Sequence, residues 1–323
     1  MIMYKKKIAV SVGIVALALG NVALADYPER PIELIVPWSA GGGTDAVSRQ
    51  LAEGLKEELG QPVNVVNRTG GGGIVGHTLI GSAQPDGYTI GMITGELGTY
   101  ENMGLADVSH EDVTPVALIN FDPASFTVSA DSAWEDLDDA LGDIQANAGT
   151  YTASGTGPGA PYHLAFSGFL DQQGIDPASV TLVPSEGAAP ALQEVAGGGI
   201  DIVYSSLPET EAMRSSGRVR TLAVFADERI EAFPDVPTAK EVTGDSWSGG
   251  TWRGIAGPEG LPEDVVQTLA EATQSVYDSE EFKAFMANTG FGTVWRGPEA
   301  FGEFLIETDA TNAPLINKLG LAQ

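Results

Sequence analysis

In the stretch VVNRTGGGGIVGHTLI (residues 65–80), Gly71, Gly73 and Gly76 stand at G-x-G-x-x-G spacing, after an apolar run that reads as a strand. Glu96 lies twenty positions past the third of these glycines. That arrangement suits a dinucleotide: glycines admit a pyrophosphate close to the backbone, a helix start supplies N–H donors, and the acid takes a ribose hydroxyl. Two features argue against it. The run falls on the second strand–helix unit rather than the first, and the N-terminus, described below, directs the chain away from NAD pools.

Other glycine loops are better placed to hold an anion. In PWSAGGGTD (37–45), Gly41, Gly42 and Gly43 allow a sharp turn and close approach to the backbone. Ser39 and Thr44 add hydroxyl donors, and Asp45 sits in the first turn of the following helix, where a carboxylate is favoured. A helix N-terminus behind a parallel strand presents unpaired N–H groups, which suits an anion; a tight turn capped by Asp45 would show the same residues. SGTGPGAPYH (154–163) repeats the theme, with Ser154 and Thr156 as donors, Gly155 and Gly157 exposing backbone, and His163 on the helix. PSEGAAPAL (184–192) is a third such loop. Donor-lined loops in two separate units predict a bipartite cleft gripping a carboxylate from both sides.

Catalytic signatures are weak. His77, His110 and His163 are far apart, no H-E-x-x-H occurs, and there is no cysteine, so neither a metal nor a cofactor is expected. GDSWSGG (244–250) departs from the G-x-S-x-G turn of serine hydrolases because Ser248 takes the fifth place.

The loops need a scaffold, and the hydrophobic pattern supplies one. PIELIVPW (31–38), PVNVVN (62–67) and YTIGMI (88–93) read as strands. Between the first two, Val47, Leu51, Leu55 and Leu59 make a helical stripe widened by Ala52 and closed by Gly60. The alternation restarts after residue 125 and runs to about Ala226, with a further strand at TWRGIAGP (251–258) and helices near 262–278, 280–288 and 298–309. The pattern predicts parallel sheets in an α/β fold of two Rossmann-like lobes with a hinge and a ligand cleft between them. The expected division is 26–124 plus 227–323 for one lobe and 125–226 for the other, with crossings near 118–128 and 220–228.

Lys5, Lys6 and Lys7 precede the uncharged run IAVSVGIVALAL (8–19) and the small-x-small site Ala23-Leu24-Ala25. This is the form of a secretory signal peptide over residues 1–25, with a mature chain starting near Asp26 and no stable membrane insertion. Its apolar run is shorter than the roughly 20 residues of a spanning helix. The formal charge of −28 becomes −31 once those three lysines are removed. Such a surface repels nucleic acid and anionic lipid, so an anionic ligand must be held by local donors.

Taken in order, YPERPIELIVPWSAGGGTDAVSRQLAEGL, NRTGGGGIVG, QPDGYTI, GGGIDIVYSS, LAVFADERIEAFPDVPTAKE and GIAGPEGLPEDVV resemble the extracytoplasmic solute receptors of tripartite tricarboxylate transporters, the Bug proteins. The resemblance runs across almost the whole mature chain. It implies a periplasmic binding protein of the Venus-flytrap type, a monomer without catalytic activity, that closes on a small carboxylate and delivers it to membrane transporter subunits. It also implies that Ser39, Ala40, Gly41, Gly42, Thr44, Asp45, Gly73 and Ile74 bind ligand from one lobe. Ser154, Thr156, Gly157 and His163 match the other. Trp38 replaces a usual phenylalanine and would form a cleft wall, while Ser185-Glu186 replaces an aromatic–lysine pair and brings negative charge to the mouth. Arg253, one of 16 basic residues, is expected to pair with a distal carboxylate of the ligand. A receptor feeding a sensor kinase and a secreted α/β enzyme are the alternatives.

Overall fold

The computed structural model describes residues 27–322; the expected signal peptide lies outside them. The chain runs β1 (Ile32–Val36), α1 (Gly43–Leu59), β2 (Val63–Asn67), α2 (Ile74–Gly81), β3 (Thr89–Thr94), β4 (Val113–Pro123) and β5 (Ser125–Ser129). It continues through α3 (Leu137–Ala146), β6 (Tyr151–Ser154), α4 (Pro161–Gln172), β7 (Val180–Leu182), α5 (Ala188–Ala196), β8 (Ile202–Ser205), α6 (Leu207–Ser215) and β9 (Val219–Val224). Last come α7 (Ala239–Thr243), β10 (Gly250–Pro258), α8 (Glu263–Asp278), α9 (Glu280–Thr289), β11 (Thr293–Arg296) and α10 (Pro298–Lys318).

These strands form two sheets, β11-β4-β10-β3-β1-β2 and β7-β6-β8-β5-β9. β1 pairs in parallel with β2 and β3, and β6 with β7 and β8, as the alternating pattern requires. The sheets are nevertheless mixed. β10 runs antiparallel to β3 and β4, and β5 runs antiparallel to β8 and β9. Those two strands arrive from the other sheet rather than through a helical crossover, so nothing forces them into the parallel direction.

Each sheet is covered on both faces. Val47, Leu51 and Leu55 of α1 are fully buried against Leu34, Val36, Leu269 and Val276, while Ile80, Ile93 and Phe301 fill the opposite face. Phe126, Phe166, Phe169 and Tyr204 fill one face of the second sheet, and Leu192, Val195 and Val203 the other. At about 25 cal/mol per Å² of apolar surface, such side chains contribute roughly 1.5–3 kcal/mol each. Gly60 ends α1 in the left-handed conformation at φ 65°, as its sequence position predicts.

Two strands of the chain join the sheets side by side, at 123–125 and 248–250. The Ala124 amide donates to the Gly249 carbonyl at 2.8 Å, and the Phe225 amide to the Ala124 carbonyl at 2.7 Å. Residues 227–247 do not return to the first sheet. Phe233 and Val236 pack with Leu207, and Ala239 and Trp247 join the core of the second sheet. The second crossing therefore lies some twenty residues later than the sequence pattern placed it, because the segment between, though without strand pattern, is docked by these side chains and by the Val224 amide donating to the Pro237 carbonyl at 3.0 Å. A further bridge is made by α10, whose Lys318 ammonium meets Asp171 of α4 at 2.5 Å. Among the described residues no helix is long and apolar enough to cross a membrane.

Candidate functional site

The carboxyl ends of β1, β2, β3, β6, β7 and β8 face one another across the gap between the sheets, where ligands of open α/β sheets bind. An inner cavity of about 30 Å³ is lined by Trp38, Ser39, Gly42, Thr44, Thr94 and Glu96 on one side and Thr156, Tyr162, Gly187, Ala188 and Glu209 on the other, with Thr251 and Arg253 from β10. An outer cavity of about 640 Å³ shares Glu96 as a wall and adds Gly71, Gly72, Ile74, Tyr100, Gly157, Ser185 and Glu186.

Three helices start here with no side-chain cap: α1 behind Gly42, α2 behind Gly73 and α5 behind Gly187. In α1 the Gly43 amide is taken by Glu209 Oε1 at 3.1 Å, and in α2 the Ile74 and Val75 amides turn back to Gly71 and Gly70, so of the three it is the start of α5 that lacks the partner Ser, Thr or Asp would supply. Missing caps alone do not define a site, since α8 and α10 also lack them. The second observation does. Thr156 Oγ1, Tyr162 OH and Thr251 Oγ1 are buried, line the inner cavity and have no hydrogen-bond partner. Buried polar groups are nearly always paired, so three orphaned hydroxyls in one cavity mark a place built for another molecule.

The glycine run that resembles a dinucleotide fingerprint has a different task. Gly70, Gly71, Gly72 and Gly73 all take positive φ, between 61° and 130°, which side chains adopt only with strain. A Cβ on Gly76 would come within 2.5 Å of Pro37 Cα, so this glycine lets α2 pack onto the loop after β1. His77 holds the run in place: its Nδ1 lies 2.9 Å from the Gly73 carbonyl, and its Nε2 accepts from the Thr94 amide at 3.1 Å. The latter contact assigns the ring proton to Nδ1, which donates to Gly73. Tyr100 OH donates to the Gly72 carbonyl at 3.0 Å. Burial lowers the His77 pKa to about 4, so the ring is neutral.

Glu96 belongs to the same wall. Trp38 Nε1 donates to Thr94 Oγ1 at 3.1 Å, and that hydroxyl donates onward to Glu96 Oε2 at 2.5 Å. Burial pushes the Glu96 carboxyl up to about 7, against the opposing effect of the Thr94 hydrogen bond. Glu96 is thus a buried acid facing both cavities rather than a ribose ligand. Sequence spacing located it but suggested the wrong partner.

Of the residues expected to touch ligand, the structure brings Trp38, Ser39, Gly42, Thr44, Thr156 and Arg253 to the inner cavity and Ile74, Gly157 and Ser185 to the outer one. It places Ala40, Gly41, Asp45, Gly73, Ser154 and His163 off both linings. Asp45 shapes its own loop. It accepts from the Gly41 amide at 3.0 Å, from Arg49 at 2.8 Å and from Asn67 at 3.0 Å, and these contacts hold its pKa below the usual range despite burial. His163 Nδ1 accepts from the Gly159 amide at 2.9 Å, and burial lowers its pKa to about 4, so it orders the loop as a neutral ring. Gly73 caps α2, and Ser154 ends β6.

Arg253 lines the inner cavity, but its surroundings differ most from the expectation. It is 1% exposed and its guanidinium is committed within the protein: Nε to Thr44 Oγ1 at 2.9 Å, Nη1 to Asn120 and Asp122, and Nη2 to Glu209 at 3.5 Å. Burial opposes its charge, but Asp122 and Glu209 more than offset this and raise its pKa. A buried arginine between two carboxylates has little left to offer a ligand carboxylate. Sequence reasoning missed Glu209, Asp122, Tyr162 and Thr251, which carry no local motif. Only the capping-box spacing of Ser206 and Glu209 was readable, and it points to a helix start rather than a site.

Two helix-covered sheets with a donor-lined cleft between them define a solute-binding protein. A family model described as the tripartite tricarboxylate transporter family receptor matches residues 47–321, and the chain belongs to that family. It is 31% identical over 304 residues to a UPF0065 protein of Bordetella pertussis, covering 91% of each chain. Among solved structures it resembles a ligand-free TctC solute-binding protein from Polaromonas, with 37% identity, a TM-score of 0.65 and coverage of 90% of this chain and 99% of that one. It also resembles MatC of Rhodopseudomonas palustris with bound malate, with 26% identity, a TM-score of 0.82 and coverage of 90% and 100%. The family is one of receptors rather than enzymes, which sets aside the secreted-enzyme alternative.

Proposed function

We propose that this receptor captures a small organic carboxylate between its two lobes, closes on it by hinge motion, and presents it to the membrane subunits of a tripartite transporter. It does so as a monomer in the periplasm, after loss of residues 1–25. The lobes meet at 123–125 and 248–250. The observation that carries this reading is the set of unpartnered hydroxyls on Thr156, Tyr162 and Thr251 beside the uncapped start of α5. A carboxylate accepts several hydrogen bonds at once, and each charge-assisted one contributes about 1.5–3 kcal/mol.

Hinge motion is supported by contacts that cross the cleft. Ser39 Oγ donates to the Glu186 carbonyl at 3.1 Å, and the Gly43 amide to Glu209 Oε1 at 3.1 Å. With both made, the lobes are latched over a narrow inner cavity, and parting them opens it to a ligand. Malate-bound MatC superposes better than the ligand-free Polaromonas protein despite lower identity. That is the behaviour of rigid lobes at different degrees of opening.

Calorimetric titration of the purified receptor with mono-, di- and tricarboxylates tests the proposal. Three or four such hydrogen bonds predict a dissociation constant in the micromolar range, about −8 kcal/mol after association costs. A binding acid at about 100 times its dissociation constant should stabilise the protein by about 2.7 kcal/mol. If no carboxylate bound while amines or sugars did, the reading would be wrong.

A further inference from the structure

Glu209 is held more firmly than a helix cap requires. Its Oε2 accepts from the Ser206 amide at 3.1 Å and the Ser206 hydroxyl at 3.0 Å, which completes the capping box of α6. Its Oε1 reaches across the cleft to the Gly43 amide at 3.1 Å, the first residue of α1, and lies 3.5 Å from Arg253 Nη2. The side chain is 7% exposed. A carboxylate belonging to the protein therefore occupies the amide of the α1 N-terminus, a natural seat for an anion.

The charges around it are equally one-sided. Arg253 is the sole cation among the residues lining the inner cavity, and its guanidinium is used by Thr44, Asn120, Asp122 and Glu209. Two acids, Glu96 and Glu209, face the same space. Donors for one ligand carboxylate remain elsewhere on the same lobe as Glu209, at the uncapped start of α5 and the unpartnered Thr156 hydroxyl. A second ligand carboxylate would meet Glu209 and Glu96 with no free cation nearby. An ammonium there would instead be attracted by the negative charge of both acids and could donate to Glu96, Thr251 and Tyr162, the acceptor positions of Glu209 being taken by Ser206, Gly43 and Arg253.

We propose that Glu209 sets the ligand class, restricting this receptor to acids that carry one carboxylate and one ammonium group, and discriminating against diacids of matched length. The inference rests on the carboxylate-capture reading and narrows it. Its physical content is that an excess of like charge in a closed site, Asp122, Glu209 and Glu96 beside the one guanidinium of Arg253, rejects a ligand more effectively than missing contacts do.

The test is calorimetric titration of matched pairs, malonate with β-alanine, succinate with γ-aminobutyrate and adipate with ε-aminocaproate, against the intact receptor and its Glu209→Gln variant. Glutamine keeps the shape and removes the charge, but its single carbonyl oxygen serves either the capping box or the Gly43 amide, so the readout is the ratio within each pair, which a general loss of closure leaves unchanged. The expected result is a preference of tenfold or more for the amino member of the best-binding pair, reduced at least tenfold in Glu209→Gln. A diacid bound as tightly as its amino partner by the unaltered receptor, or an unchanged ratio in the variant, overturns the assignment to Glu209 and leaves carboxylate capture standing. Failure of every member of every pair to bind either protein overturns both.

Discussion

Glu209 Oε1 accepts the Gly43 amide at 3.1 Å, joining the capping box of α6 to the first turn of α1 across 166 residues of sequence. The contact depends on the absence of a side chain at position 43. A Cβ there would lie 2.8 Å from both Glu209 Oε1 and Arg253 Nη2, side-chain ends that are held by Ser206, Thr44 and Asp122. Gly43→Ala should therefore hold the lobes apart. We expect at least tenfold weaker ligand binding by calorimetry and a larger radius of gyration by small-angle scattering, with an unchanged circular dichroism spectrum. Normal affinity in this variant would show that closure does not need the Glu209–Gly43 contact.

Arg253 should behave as a structural residue. Removing it leaves Asp122 and Glu209 buried without compensation, which typically costs about 3–5 kcal/mol. Denaturant unfolding of Arg253→Met should show a loss of that size. Adding Asp122→Asn and Glu209→Gln should recover much of it, because the uncompensated charges then disappear with their partner. If Arg253→Met kept full stability and lost only ligand affinity, Arg253 would have to be returned to the ligand.

The orphaned hydroxyls predict opposite effects on the free and the bound protein. Thr156→Val and Thr251→Val each remove a buried hydroxyl that has no partner in the free receptor. Unliganded stability should be unchanged or slightly raised, while each variant loses about 1.5–3 kcal/mol of ligand binding if that hydroxyl contacts a charged group. Thermal unfolding with and without a saturating acid measures both quantities. Equal losses in the two states would mean that the hydroxyls serve the fold.

Two buried groups make stability depend on pH in opposite directions. Glu96 rises from an ordinary value of 4.5 to about 7, so its contribution is full below 4.5 and is lost as pH rises through 7. His77 falls from 6.5 to about 4, so its contribution is full above 6.5 and is lost as pH falls through 4. Each shift corresponds to about 3 kcal/mol across its window. Relative to Glu96→Gln, the unaltered receptor should lose stability on going from acid to neutral pH, and relative to His77→Gln it should lose stability on going from neutral to acid. Parallel curves of unfolding free energy against pH, with and without either substitution, would remove these assignments.

Much of this molecule is written in short-range pattern. The stripe of Val47, Leu51 and Leu55, the Gly60 stop and the glycine loops behind β1, β2 and β6 are determined by neighbours within a few residues, and all are present as read. β4 was not legible, because Asn120 and Asp122 interrupt its apolar pattern in order to meet Arg253 more than 130 residues away. The directions of β5 and β10 were equally hidden, since strand direction follows from which sheet a crossing strand joins. Sequence alone thus determined most of the elements and the donor types at their ends. Only the tertiary structure decided that Arg253 is consumed by Asp122 and that Glu209 fills an anion seat. Which buried charge finds which partner is a long-range electrostatic choice, made when the two sheets come together.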